Sequence, residues 1–385
     1  MSSLHSLANG SPAADWANPA IILGYARGTV AQAGSGDDYT YRIRRDIAGT
    51  RSALVRTDAA LRNRELPPAI AAASRILLLG CGHSAMHAAA AGLAWLERLS
   101  GLPCDVEPAS AWLSHPSQTK VGTVAIVMSR TGEAADAMTT FRVLRAQSIP
   151  SVALTAEPTT HLASQADMLW AAEVGAQSAP TATKSISVQL MALLRFGITL
   201  GAARGTLRDA ALETAELAIG DAPVAAALAE AAEARYAAIA CRLALGRPPL
   251  LIGRGGSSAI AAHGAEYLQE LAELAPRCHA GVDMAGGVAA LVAKGTPVII
   301  CAEADTQLTH SVADAAEASA HGAEVIALVE SRAAWEFERV AHDIVALPGR
   351  GFANLFAQLM AIQLIAYHTA LSLGMEVDSP DTILN

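Results

Sequence analysis

Runs of apolar residues alternate with segments of helical periodicity along most of the chain after residue 75. The apolar runs are typical of buried strands, and the segments between them repeat apolar residues every three or four positions. Predicted strands cover 75–80, 103–108, 122–129 and 150–157, and predicted helices cover 84–101 and 132–147. Strands that alternate with helices of this length predict βαβ units, and hence a parallel sheet covered on both faces.

Helical segments flank this series. Residues 39–64 carry apolar positions at helical spacing, and a final helix is predicted over 352–374. The expected divisions of the chain are a loose arm rich in Gly, Ser, Ala and Pro (1–38), a first domain (39–203), Ala- and Glu-rich linking helices (204–245) and a second domain (246–385).

The strand–helix series occurs twice. The segment PLLIGRGGSSAIAAHGAEYLQE superposes on ILLLGCGHSAMHAAAAGLAWLE, so that Gly80 and Gly82 match Gly253 and Gly255. The offset of 173 residues between Gly80 and Gly253 persists in the next strand. We therefore expect two copies of a doubly wound α/β half.

Composition indicates a globular chain with a large core. Of the 385 residues, 52% are hydrophobic and 16% are charged, which excludes disorder. The net charge of −9 argues against a nucleic-acid partner, which would need clustered Lys and Arg. The apolar stretch 185–203 is interrupted by Gln189 and Arg195 and is shorter than the ~18 uninterrupted apolar residues of a membrane span.

The cysteines and the N-terminus bear on location. The 5 cysteines are odd in number and form no CxxC pair, so we expect reduced structural thiols. The N-terminus has no basic region followed by an apolar stretch, so no secretory signal is visible. Together these features predict a cytoplasmic protein with no membrane association.

A glycine-rich turn, GCGHSA at 80–85, follows the first predicted strand. It fits the loose pattern G-x-G-x-x-A of dinucleotide sites, in which Asp105 or Glu107 would bind the ribose about 20 residues later. A strand-to-helix turn needs glycine for steric reasons alone, however. A single dinucleotide also leaves the second copy of the turn unexplained, so a different ligand is preferred.

Hydroxyl side chains cluster at the carboxyl ends of two predicted strands. Ser129 and Thr131 precede a helix that starts near Gly132, and Ser84 lies at the start of the first helix. The N–H groups of a helix's first turn are unpaired and lie at the positive end of its dipole, so added hydroxyls complete a phosphate site. The alternative is that these residues are N-caps with no ligand.

Six segments occur in the order and at the spacing of a known family: GCGHSA, PCDVEPAS, SRTGEAADA, TATKS, GRGGSSAIAAHGAEYLQE and LIAYHTALSLGMEVDSP. Over residues 40–385 the chain resembles the double-SIS (sugar isomerase) family, which includes the isomerase half of glutamine–fructose-6-phosphate aminotransferases and SIS-type amino-sugar-phosphate deaminases. The resemblance implies a flavodoxin-like αβα sandwich in each half, a phosphosugar in the crevice and a homodimer. No cofactor and no metal ion are expected.

The family's phosphate loop has the form S-x-S-G-E-T-x-D and matches residues 129–136. The resemblance therefore makes Ser129, Thr131 and Gly132 substrate-binding residues. Ala134 replaces the hydroxyl residue that follows the Glu. Arg130 stands where the family often has Gln and would strengthen phosphate binding if it points inward; a solvated Arg is the alternative.

Two further segments carry substrate-binding positions of the family. His83 and Ser84 stand at its Thr-Ser pair in the first loop, and Thr183 and Lys184 stand within its S-T-K segment. The resemblance implies that all four contact the substrate, with Lys184 as a source of positive charge near it.

The catalytic positions depart further from the family. Its base, a Glu that moves a proton between C1 and C2 of an open-chain sugar phosphate, falls on Glu270. Its ring-opening His falls on Gly286, or on Ala285 with a one-residue gap, and its C-terminal Lys falls on Asn385.

A histidine elsewhere is a candidate for the missing acid. His263 shares a helix face with Glu270, and His279 lies in the following loop. The alternative for His263 is a partly buried packing residue.

The sequence thus predicts an isomerase or deaminase of a hexose- or hexosamine-phosphate, and the absence of a glutaminase segment argues against a glutamine-dependent synthase. The alternative function is sugar-phosphate binding without catalysis, and a dinucleotide-dependent enzyme is a more distant one. The retained Glu270 favours the enzyme, whereas the lost His and Lys favour binding alone.

Overall fold

The computed structural model describes residues 39–116, 119–157, 164–179, 181–280 and 287–378, so the predicted arm lies outside the described residues. Strands of the first half are β1 (Arg75–Cys81), β2 (Cys104–Pro108), β3 (Thr123–Ser129), β4 (Ser151–Thr155) and β5 (Met168–Ala171). Strands of the second half are β6 (Leu250–Gly253), β7 (Arg277–Ala280), β8 (Pro297–Ala302), β9 (Glu324–Glu330) and β10 (Asp343–Leu347).

Helices cover both faces of each sheet. Those up to the end of the first half are α1 (Arg42–Ala48), α2 (Thr50–Leu61), α3 (Pro68–Ala71), α4 (His83–Ser100), α5 (Ala109–Trp112), α6 (Ala135–Ala146) and α7 (Lys184–Arg204). The linking helices and those of the second half are α8 (Asp209–Glu230), α9 (Glu233–Leu245), α10 (Gly256–Ala272), α11 (Leu308–Ala320) and α12 (Phe352–Ser372), with 3₁₀ turns at Val288–Leu291 and Ser331–Phe337.

The two sheets have the same parallel topology. Their strand orders are β2-β1-β3-β4-β5 and β7-β6-β8-β9-β10. Gly80 pairs with Met128 and Gly253 pairs with Cys301, so the offset seen in the sequence holds in the hydrogen-bonded register. The predicted fold class is confirmed: two tandem flavodoxin-like αβα sandwiches related by duplication.

The two halves share one core. Helices α4 and α10 pack against each other, and the largest cluster of buried apolar side chains draws on both halves. Helices α7 and α12 are long and apolar enough to cross a membrane by length and composition, but 83% of the most apolar stretch of each is buried inside the protein. Arg195 of α7 is 1% exposed and forms an ion pair with Asp58 at 2.5 Å, as befits a core helix.

Some elements differ from the prediction. The expected helix over 39–64 is two helices that meet at Gly49, where a Cβ atom would lie 3.2 Å from the Lys184 side chain. Helix α6 begins three residues later than Gly132, because that glycine adopts φ +70° in a turn. The four-residue strand β5 was not predicted, since it is too short to show a pattern.

Candidate active site

The order of the first sheet reverses between β1 and β3, which are neighbours although β2 lies between them in sequence. In sheets of this kind, ligands bind outside the carboxyl ends of the strands at the reversal point. Cys81 and Ser129, the last residues of β1 and β3, are paired there. The turn after Cys81 and the loop after Ser129 therefore line one crevice.

Two hydroxyl side chains accept hydrogen bonds from the backbone of the loop after β3. The Ser129 hydroxyl is buried and accepts a hydrogen bond from the Gly132 N–H at 3.1 Å, and the Thr131 hydroxyl accepts one from the Glu133 N–H at 3.3 Å. Ala134 occupies the N-cap of α6 with no side-chain cap. Both hydroxyl hydrogens remain available to donate to an oxyanion, as do the first N–H groups of α6.

The turn after β1 has steric reasons for its glycines. A Cβ atom on Gly80 would lie 2.4 Å from the Met86 sulfur, and Gly82 adopts φ +86° at the N-cap of α4. The two candidate ribose acids have other partners: Asp105 pairs with Arg75 at 2.5 Å, and Glu107 pairs with a histidine at 3.3 Å. These contacts favour the steric interpretation of the turn over a dinucleotide site.

Glu270, on α10 of the second half, is surrounded by groups of the first half. Burial raises the pKa of this half-buried carboxyl group, and the charge of Glu266 raises it further. A side-chain hydrogen bond from Thr181 and the charges of Arg130 and His83 oppose the rise. These neighbours place Glu270 across the crevice from the loops that follow β1 and β3.

A second carboxylate and a second imidazole lie at the same place. The His87 Nε2 atom lies 2.8 Å from Glu266 Oε2, and His83 Nδ1 lies 3.5 Å from the same oxygen. Burial alone would raise the pKa of Glu266, but the hydrogen bond from His87 and the nearby imidazoles more than offset it, so that pKa is lowered. Glu266 and His87 were not predicted from the sequence. Their spacing, one turn from Glu270 and one turn from His83, is the signal that could have found them.

His263 lies in the core behind these groups. It is buried, its ring lies 5.8 Å from the His87 ring and 5.2 Å from the Tyr267 ring, and its Nε2 atom lies 3.4 Å from the Gln363 side chain. Burial first, and then the His87 charge, lower its pKa to about 3. A neutral imidazole in this position favours the packing role that the sequence left open.

Thr183 is the N-cap of α7 and Lys184 is its first residue; both are buried. The Lys184 ammonium group donates to the Ala176 carbonyl and lies 3.7 Å from Asp46, while burial lowers its pKa. The Thr183 carbonyl accepts a hydrogen bond from Gln363 at 3.0 Å. The charge of Lys184 is therefore already paired with α1.

The remaining predicted positions are Ser84 and His279, which are described, and three residues that are not. Ser84 is half-buried in the first turn of α4, and His279 is half-buried on β7. Ala285, Gly286 and Asn385 lie outside the described residues. Among the residues that are described, no group of three His, Cys, Asp or Glu side chains is placed to hold a metal ion.

The matching crevice of the second half has different chemistry. By the register of the sheets, Glu303 and Asp305 stand where the first half has Arg130 and Gly132. Glu303 is only 6% exposed, and burial, followed by the charge of Asp305, raises its pKa to about 8. The Trp95 indole N–H donates to it at 3.3 Å. Carboxyl groups at this position disfavour a phosphate, so the first half holds the candidate site.

The fold and this crevice define a class of duplicated, doubly wound α/β proteins with one polar site at a strand-order reversal. The SIS domain model matches residues 69–198 and 249–369, more than half of the chain. The chain belongs to the SIS domain family, as the sequence motifs predicted.

Curated relatives match most of this chain. It is 28% identical over 309 residues to a glutamine–fructose-6-phosphate aminotransferase (isomerizing) of Bradyrhizobium diazoefficiens, covering 80% of this chain and 50% of the relative. It is 30% identical to the protein of the same name from Gluconobacter oxydans, covering 82% and 52%. The chain thus spans about half the length of the curated relatives it matches.

Solved structures show the same fold. The C-terminal domain of glucosamine-fructose-6-phosphate aminotransferase from Francisella tularensis superposes with a TM-score of 0.82 at 22% identity, covering 90% of this chain and 99% of that one. A glucosamine-6-phosphate deaminase from Thermotoga maritima superposes with a TM-score of 0.64 at 18% identity, covering 88% and 97%. At these identities the likeness establishes the fold alone.

Proposed function

We propose that the protein binds a hexose- or hexosamine-phosphate in the first-half crevice and moves a proton between C1 and C2 of its open-chain form. The observation that carries the proposal is Glu270, a half-buried carboxyl group that faces Arg130 and His83 across the crevice. Relatives that match this region are named for fructose 6-phosphate, and a protein of the same fold for glucosamine 6-phosphate. These two sugars are therefore the first substrates to test.

Phosphate recognition is assigned to the loop after β3. The Ser129 and Thr131 hydroxyls and the first N–H groups of α6 would donate to the phosphate oxygens. Arg130 is exposed at the mouth of the crevice and would add a charged donor. Binding the phosphate here holds the other end of the sugar for the α10 carboxylate.

Glu270 is assigned the transfer of the carbon-bound proton. A carboxylate whose pKa is raised by burial is a stronger base than a solvated one, which favours removal of the carbon-bound proton. Transfer from C2 to C1 of an aldose phosphate yields the ketose. With a 2-amino sugar, the same transfer yields an imine at C2, which water hydrolyses to the ketose and ammonia. One proton step therefore serves both an isomerase and a deaminase.

The test is exchange of carbon-bound hydrogen with deuterated solvent, followed by NMR. Wild-type protein should exchange the C2 proton of glucosamine 6-phosphate or a C1 proton of fructose 6-phosphate. Glu270→Gln should keep the fold and the affinity for the sugar, and its exchange rate should fall by ~10²–10⁴-fold. Glu273→Gln, an exposed residue just beyond the same helix, is the matched control and should exchange like wild type.

Binding without catalysis is the second candidate function. It is favoured by the residues Ala285, Gly286 and Asn385, which stand where the family's acid and lysine are expected. It predicts a phosphosugar that binds wild-type protein with no exchange at C1 or C2. Exchange that proceeds equally fast in wild type and in Glu270→Gln would instead contradict the assignment of the base.

The proposal includes a homodimer. Helix α8 presents Leu217, Val224 and Leu228 to solvent, and their spacing of seven and four residues places them along one face. Exposed apolar side chains along one helix face are typical of an interface. The proposal also includes a reducing, cytoplasmic location, which is supported by the absence of disulfides among the five cysteines, all of which are described.

A further inference from the structure

The proposed proton transfer requires an open-chain sugar, and no residue has yet been assigned to the opening of the ring. The C2 proton of a sugar is acidic only when C1 is a free carbonyl, yet hexose phosphates in water are mostly closed rings. Opening the ring moves a proton from the anomeric hydroxyl to the ring oxygen while the bond between that oxygen and the anomeric carbon breaks. A group that accepts and then returns a proton near neutral pH performs this transfer, and imidazole is the side chain best suited to it.

His83 has the exposure that this step requires. It is the first residue of α4, directly after Gly82, and its side chain is 84% exposed. The strand end that precedes it, Cys81, pairs with Ser129 at the start of the phosphate loop. His83 Nδ1 lies 3.5 Å from Glu266, which precedes Glu270 by one turn of α10, so the imidazole lies beside the proposed base.

Glu266 lies beside the His83 ring on the side of Nδ1. Its Oε2 atom lies 3.5 Å from His83 Nδ1 and 2.8 Å from His87 Nε2. His87 is largely buried, with its side chain 14% exposed, so it anchors the carboxylate from the core side. A carboxylate at Nδ1 favours the tautomer that carries its proton there, which leaves Nε2 free as the proton acceptor.

We propose that His83 opens the sugar ring and that Glu266 is its positioning residue; the inference rests on the proposed function. Nε2 of neutral His83 takes the proton of the anomeric hydroxyl, and the electron pair left on that oxygen forms the carbonyl. The bond from the anomeric carbon to the ring oxygen breaks, and the ring oxygen takes the proton back from Nε2. His83 ends neutral, and the Glu266 carboxylate stabilises the imidazolium formed in between.

The experiment compares a sugar phosphate that forms a ring with one that cannot form a ring. Fructose 6-phosphate forms its ring through the 5-hydroxyl, whereas 5-deoxyfructose 6-phosphate has no hydroxyl able to close a stable ring. For His83→Gln, the rate of C1-proton exchange at saturation should fall ~10²-fold or more on fructose 6-phosphate. On the 5-deoxy sugar it should stay within about twofold of wild type, because Glu270 acts on the open chain directly.

Glu266→Gln tests the positioning role. It should lower the saturated rate on fructose 6-phosphate with little change in KM and leave the rate on the 5-deoxy sugar unaffected. A merely structural role would slow both sugars alike. The matched control is His321→Gln. It removes an exposed imidazole just beyond α11 of the second half, which pairs with Glu317 of that helix at 3.1 Å. It should leave both rates unchanged.

The outcomes are separable. Equal losses on the two sugars in His83→Gln, or no loss on either, overturn the assignment of ring opening while leaving Glu270 as the base. Wild-type protein that binds both sugars and exchanges neither overturns the proposed function and the present inference together.

Discussion

Replacing Glu303 by Gln should make the protein more stable at neutral and alkaline pH. Glu303 follows β8, is almost fully buried, and accepts a hydrogen bond from the Trp95 indole. Gln has nearly the shape of a protonated Glu and keeps an oxygen for the indole N–H. The substitution therefore removes the ionisation of the side chain and preserves its packing.

The magnitude follows from the pKa of Glu303. Burial, with the charge of Asp305 as the next cause, raises that pKa from 4.5 to about 8. Between these values the folded protein keeps a proton that the unfolded chain releases, so the free energy of unfolding falls as the pH rises. The slope is about 1.4 kcal/mol per pH unit, and the whole window is worth about 5 kcal/mol.

The assay is urea denaturation of wild type and Glu303→Gln from pH 5 to pH 8. The gain in unfolding free energy of the variant should grow from under about 1 kcal/mol at pH 5 to about 4 kcal/mol at pH 8. Glu338→Gln, at an exposed position later in the second half, should follow wild type throughout. Parallel curves for wild type and Glu303→Gln across this range would refute the argument, since they would mean that the carboxyl group ionises as readily when folded.

Two further predictions concern the ligand and the assembly. Ser129→Ala and Thr131→Ala should each weaken phosphosugar binding by roughly ten- to a hundredfold, because a hydrogen bond to a charged group is worth ~1.5–3 kcal/mol; unchanged affinity in calorimetric titrations of both variants would remove the loop from the phosphate site. Wild-type protein should run as a dimer in light scattering at micromolar concentration, and Leu228→Glu should shift it towards monomer by placing a charge on the exposed face of α8. Monomeric wild type would contradict the proposed interface.

The alternation of apolar runs and helical segments was enough to predict the doubly wound halves, because parallel strands buried on both faces are nearly continuous apolar sequences. The duplication was visible for a related reason: Gly80 and Gly253 lie near the ends of β1 and β6, where a Cβ atom would collide with the start of the following helix. Short elements such as β5 carry too few residues to show a period.

The candidate site was only partly predictable. Motif positions such as Ser129 and Glu270 could be located by resemblance, but the pairing of His87 with Glu266 joins residues 179 positions apart. That pairing depends on how α4 and α10 pack, which no local pattern encodes. The burial of Lys184 against Asp46 is likewise a tertiary contact, so its sequence position alone did not show that its charge is already paired.

Helices α4 and α10 each serve both crevices. The start of α4 lies at the first crevice and its Trp95 at the second, while α10 begins at the second crevice and carries Glu270 to the first. A symmetric pair of separate, identical halves would have to place the same side chains in both crevices. Joining the copies in one chain removes that constraint, so one crevice can carry hydroxyl and cationic groups while its counterpart carries carboxyl groups.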